Sequence, residues 1–205
     1  MKFQNLFIVT IAVILLSGCV SSPRLNFSVS NVGVSNKKIN AELKSITVMI
    51  ARPGEAKGAI DVEEAVINLW TGESGGGGEG IVPQMWQTAL TEALNRMLLF
   101  QDDANKKVNL SVKILRLATP IAGLSMTTEV VARYEIVERK TGDMIYTQEI
   151  ASSGTTPFSF SLIGAVRVRE SINRAIQNNI TQFLQALETV DVDRPMFPTK
   201  AGSTK

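Results

Sequence analysis

The chain contains no histidine and one cysteine, Cys19, so few residue types are left that could carry chemistry. A single thiol excludes an internal disulfide and dithiol exchange, and the missing imidazole removes histidine-based triads and histidine-containing metal sites. Carboxylates occur in pairs, as Glu63-Glu64, Asp102-Asp103 and Asp191/Asp193. Such pairs could hold Ca²⁺ or relay protons in a hydrolysis, but none has calcium-loop spacing. Aromatic platforms for a sugar are also scarce, at 6% of residues. They read as solvated surface. Gly75, Gly77 and Gly80 spell a dinucleotide-type glycine pattern. No strand leads directly into it, Asp102 falls after a long helix, and no Lys-Ser/Thr follows to hold phosphate, so a flexible loop is expected. The serines lack a nucleophile elbow, and neither Lys37-Lys38 nor Lys106-Lys107 offers a Ser-x-x-Lys on a helix. No catalytic residue, metal site or cofactor is expected.

Two segments invite binding instead. Arg167, Arg169 and Arg174 gather near the start of the last helix with Glu170 among them. Cations are mildly unfavourable at a helix N-terminus, so they are either a solvated flank or a contact for an anionic ligand or acidic partner. Just before them, Phe158, Phe160 and Leu162 alternate with Ser159 and Ser161. An extended segment would put the three apolar side chains on one side, either closing the core or forming a contact strip for a partner or an acyl chain. Phe158 is expected to help close the core, with Phe160 and Leu162 exposed.

Cys19 has a specific setting. Lys2 precedes an apolar run, Leu6 to Leu16, that is too short for a comfortable membrane span and has signal-peptide length. The run ends Leu16-Ser17-Gly18-Cys19, which matches the lipobox of bacterial lipoproteins. Small residues at 17 and 18 let the chain enter a peptidase, and the Cys19 sulfur is the nucleophile that takes diacylglycerol as a thioether. Two or more acyl chains hold a protein on a bilayer, at ~0.8 kcal/mol per buried methylene. Val20 stands where an aspartate would signal inner-membrane retention, so the resemblance implies the outer membrane. With Lys+Arg 21 against Asp+Glu 19, no polybasic surface assists the anchor and nucleic acid is not an expected partner.

These features require a body to position them. Residues 1–18 read as signal peptide, 19–43 as the lipidated cysteine and a Ser/Asn-rich tether, 44–190 as one domain and 191–205 as a flexible tail. Leu25, Phe27 and Val29 alternate, so part of the tether could pair as an edge strand. Strands are expected at Ser45–Ile50, Lys107–Leu117, Thr127–Glu138 and Met144–Ala151, the last two joined by a turn at Lys140–Asp143 with Gly142. Residues 61–70 fit either period. Pro83 marks a helix running to Phe100, with a stripe of Trp86, Leu90, Leu94, Met97 and Leu98. A second helix, Ile163–Glu188, carries Ile172, Ile176, Ile180, Phe183, Leu184 and Leu187 on one face. The fold class is α+β: an antiparallel sheet of about four strands with two amphipathic helices on one face.

The lipobox, the helix around Gln87 to Leu94, the hairpin from Tyr134 to Tyr146 and the long terminal helix together resemble small outer-membrane lipoproteins that assist envelope-transport machines. The examples are the lipopolysaccharide-transport plug lipoprotein and the auxiliary lipoproteins of lipid-transport ABC systems. The resemblance implies a non-enzymatic, periplasm-facing lipoprotein that binds or positions a partner in an envelope complex. The alternative is a lipid- or glycan-binding module with an apolar groove between sheet and helices. An acyl- or sugar-handling enzyme is the weakest option, because neither a β-helix repeat nor a catalytic histidine is present.

Overall fold

A computed structural model describes residues 25–51, 78–120 and 122–197. The lipobox, Glu63-Glu64, residues 61–70 and Gly75 and Gly77 lie outside the described residues. The elements are β1 (Glu42–Ile50), α1 (Gly78–Met97), β2 (Lys107–Ala118), β3 (Met126–Glu138), β4 (Met144–Thr156), a 3₁₀ turn at Phe158–Phe160 and α2 (Gly164–Leu187). This is an α+β fold with a four-stranded sheet in the order β1-β2-β3-β4.

The sheet is mixed, which corrects the antiparallel expectation. β2, β3 and β4 form an antiparallel meander, whereas β1 runs parallel to β2. The cause is the connection. A tight turn reverses the chain and can only make an antiparallel neighbour, but α1 intervenes after β1 and returns the chain to the end where β1 started. Between β3 and β4 the expected hairpin is present, with Gly142 at φ 76, a backbone angle that costs glycine nothing.

Alternation sets the two faces of the sheet. Val108, Leu110, Val112 and Ile114 of β2 point inward, as do Met126, Val130, Ala132, Tyr134 and Ile136 of β3. A bulge between Ile114 and Arg116 shifts the parity, so that Leu117 takes the inward place. Ion pairs Arg133–Glu149 at 2.5 Å and Arg116–Glu129 at 2.9 Å are partly exposed, and residues 129, 133 and 149 alternate with the inward set, as on a solvated sheet face.

Side chains of both helices join the same core as the sheet. Trp86, Leu90, Ala93, Leu94 and Met97 of α1 and Ile172, Ile176, Ile180, Phe183 and Leu187 of α2 are buried there. The α1 stripe stops at Met97. Leu98 takes φ 49 and is 56% exposed, because the chain leaves the helix in a left-handed turn before Leu99 re-enters the core. Tyr134 stacks on Phe183 with centroids 4.0 Å apart and donates its hydroxyl to Asn179 Oδ1 at 2.9 Å. Thr128 and Ser171 share a buried 2.7 Å hydrogen bond, so the inward polar groups of β3 are satisfied by α2.

The helix α2 lies against β4 through its own polar side chains. Asn179 donates to Ile150 O, Asn178 to Ser153 O, and Arg174 to Thr155 O, at 2.8, 2.8 and 2.9 Å. The close approach needs Gly154, since a β-carbon there would meet Ser171 O at 2.5 Å and Arg174 Cβ at 2.6 Å.

Both flanking segments are more ordered than the sequence suggests. Phe27, Val29, Ile39 and Ala41 belong to the core, so from Leu25 onward the expected tether is part of the body. Around Leu25–Val29 its backbone does not pair as a strand but docks on side chains of both helices, whereas farther on Ile39 forms an isolated parallel bridge with Phe100. The Asn26 N–H donates to Asn173 Oδ1 at 2.8 Å, Gln177 donates to Asn26 O and Ser28 O, and Arg96 donates to Val29 O. Residues 191–197, expected as a loose tail, also pack. Val192 is buried, Lys106 donates to Val192 O at 2.6 Å and pairs with Asp193 at 2.7 Å, and Phe197 bridges Met144 on β4.

Candidate functional site

Five of the ten exposed large apolar side chains among the described residues gather at one end of the sheet, where β4 ends and α2 begins, while Val34, Met49, Leu98, Met196 and Phe197 lie elsewhere. Pro157 leads into the 3₁₀ turn, which replaces the extended strip that alternation implied. Phe158 and Phe160 are each 45% exposed, Leu162 82%, and Ile163 52%. Phe160 and Leu162 are thus exposed as expected, while Phe158 does not close the core. A three-residue turn buries none of its side chains, so period-2 logic fails for Phe158.

Arg167 braces this end from beneath and is only 5% exposed. Its guanidinium donates to Ser161 O at 2.5 Å and to Gly123 O at 3.2 Å, and lies over the Phe158 ring at 5.0 Å. Arg167 is therefore not a solvated flank. A buried guanidinium needs acceptors; two loop carbonyls take its terminal N–H groups and the Phe158 face lies over it, while Nε has no hydrogen-bond partner. By holding Gly123 it also brings the β2–β3 loop to the same end, and Leu124 on that loop is 76% exposed. Arg174 pairs with Glu170 at 2.8 Å and lies 5.5 Å from the Phe160 ring. Arg169 is half-buried.

The sequence reading missed Leu124 and Ile163. A usable signal was present: 119–125 and 157–163 contain no charged residue, although both connect surface elements.

Large side chains of the sheet and both helices meet in the interior. Trp86, Tyr134, Phe183 and Phe27 are each at most 1% exposed. An open cleft of about 430 Å³ lies outside α2, lined by Ser28, Val32, Gln177, Thr181, Gln185 and Glu188 among others. It carries no aromatic side chain. Burial raises the Tyr134 phenol far above its usual pKa, an effect that Trp86 beside it opposes only in part, and burial pushes Tyr146 up to about 12. Both stay protonated at neutral pH and act as packing and hydrogen-bonding groups.

Asp102 and Asp103 are exposed in the turn after α1, and Asp191 accepts from the Asp193 N–H. Among the described residues no cluster of three or more Asp, Glu, His or Cys is placed to hold a metal ion. No described helix is long and apolar enough to cross a membrane.

No protein-family model matches the sequence, and a comparison with curated proteins finds no match. Among solved structures, the chain is similar to a DUF330-family protein from Xanthomonas campestris, with 12% identity, 75% of this chain and 88% of that chain covered, and a TM-score of 0.49. It is similar to a minor lipoprotein from Acinetobacter baumannii, with 10% identity, 71% and 90% covered, and a TM-score of 0.33. A PelC dodecamer from Paraburkholderia phytofirmans gives 10% identity, 82% and 95% covered, and a TM-score of 0.40.

Proposed function

We propose that this protein is a non-enzymatic lipoprotein, anchored through Cys19 to the periplasmic face of the outer membrane, that binds or positions a partner in envelope assembly or lipid transport. The observation that carries this is the lipobox Leu16-Ser17-Gly18-Cys19, which lies only a few residues before the chain docks onto α2. A short lead from anchor to body suits a module that works close to the membrane surface. The apolar end formed by Phe158, Phe160, Leu162, Ile163 and Leu124 is its contact surface, held in place by Arg167. Arg169 flanks that end.

Among the described residues the large side chains Trp86, Tyr134, Phe183 and Phe27 are packed inside the core, which supports a surface that binds or positions a partner over a pocket between them. Crosslinking followed by pull-down from native envelopes tests the proposal. The acylated protein should recover a defined envelope complex, and Cys19→Ala should lose it. Recovery of the same complex at the same yield by the unacylated variant would refute the anchored role.

A further inference from the structure

We infer that the apolar end of the molecule faces the bilayer, with Phe158, Phe160, Leu162, Ile163 and Leu124 dipping into the interface of the leaflet that holds the Cys19 lipid. This rests on the proposed anchor and names the occupant of the same contact surface.

The path of the N-terminal segment gives the orientation. Asn26 meets Asn173 of α2, Ser28 meets Gln177, and Lys37 donates to the carbonyls of Glu188 and Val190. The segment therefore runs alongside α2 toward its C-terminal end. Traced backward, the chain enters from the N-terminal end of α2, where Phe158 to Ile163 project. Asn173 lies nine positions after Gly164, about 14 Å along the helix axis. Leu25 stands six positions after Cys19, and that length reaches at most about 20 Å. The lipidated residue can thus reach the level of the apolar cluster, but cannot carry the body far from the membrane.

Charge separates the described loops at the two ends; β1 also finishes at the α2 N-terminal end, and the charged residues that follow it, Arg52 to Glu73, lie outside the described residues. The loops 119–125 and 157–163 at the α2 N-terminal end have no ionisable side chain. At the other end, the β3–β4 turn carries Arg139, Lys140 and Asp143, and the connection before β2 carries Asp102, Asp103 and Lys106. Uncharged loops bearing Phe, Leu and Ile can enter the headgroup–acyl boundary, whereas charged loops stay in water. The guanidinium that would otherwise oppose entry, Arg167, is turned inward onto Ser161 O and Gly123 O.

The test uses the full-length acylated protein in vesicles of phosphatidylethanolamine and phosphatidylglycerol, with radiolabelled acyl chains. p-Benzoylphenylalanine replaces Leu162 in one sample, Phe160 in a second and Thr141 of the distal turn in a third. Lipid adducts should exceed those at 141 by about five-fold or more at both 160 and 162. Equal yields at all three positions would overturn the inference. So would adducts in native envelopes that join 160 and 162 to protein and not to lipid. Palmitate labelling of the same samples separates the two failures. Labelled protein without lipid adducts at 160 and 162 overturns the orientation and leaves the anchor, whereas unlabelled protein overturns the anchor and this inference with it.

Discussion

Gly154→Ala tests how α2, and with it the apolar end, is held on the sheet. The added methyl would lie 2.5 Å from Ser171 O and 2.6 Å from Arg174 Cβ, and closer still to Ala175 N, where ordinary contact begins at 3.4 Å. Two of the obstacles are backbone atoms of α2 and cannot rotate away, so the helix must lift by about 1 Å. That lift stretches Ser152 Oγ–Ala175 O from 2.9 Å, and Asn179 Nδ2–Ile150 O and Asn178 Nδ2–Ser153 O from 2.8 Å, beyond useful range. Three hydrogen bonds at ~0.5–1.5 kcal/mol each, plus ~1–3 kcal/mol of overpacking, give about 3–5 kcal/mol after partial relaxation. Urea unfolding followed by circular dichroism measures it. Gly33→Ala, where a β-carbon meets nothing within 4 Å, is the control and should stay within about 0.5 kcal/mol. A loss below ~1 kcal/mol at Gly154 would show that α2 does not sit on β4 as described.

Leu90→Ala and Ile176→Ala, each at 0% exposure in the shared core, should cost ~2–5 kcal/mol in the same assay; values near zero at both would contradict the joint core. Phe158→Ser with Phe160→Ser should cost only about 2–3 kcal/mol, against ~6–10 for two fully buried rings, while lowering lipid crosslinks from this end sharply. A folded double variant that keeps every contact would remove this end from consideration. Stability should also fall as pH rises from about 10 to 12. Burial raises the folded-state pKa of Tyr146 to about 12 and of Tyr134 in the same direction, so their contribution is complete below the unfolded value of ~10 and lost above it. A urea midpoint that stays flat from pH 8 to 12 would contradict it.

The hairpin and α2 were legible because their signals are local: a glycine in the turn and an unbroken 3.6-residue period from Ile172 to Leu187. The element order could be read for the same reason. The parallel pairing of β1 could not, since strand direction depends on where α1 deposits the chain and not on the strand's own residues. Phe27 and Val29 announced burial, but the segment's backbone is held by Asn173, Gln177 and Arg96 through Asn26, Ser28 and Val29, far along the chain, and no local pattern identifies these partners. The apolar end was legible in part. Phe160 and Leu162 are exposed as their spacing suggested, whereas Phe158 sits on a 3₁₀ turn, and Arg167 is drawn inward by two loop carbonyls that sequence proximity does not reveal.

Metabolic labelling with radioactive palmitate tests the lipid anchor on Cys19. The wild-type chain should carry the label and fractionate with the outer membrane. Cys19→Ala should be unlabelled, and either released as soluble material or stalled as precursor. Label on the Cys19→Ala chain, together with unchanged fractionation, would show that Cys19 is not the lipidated residue.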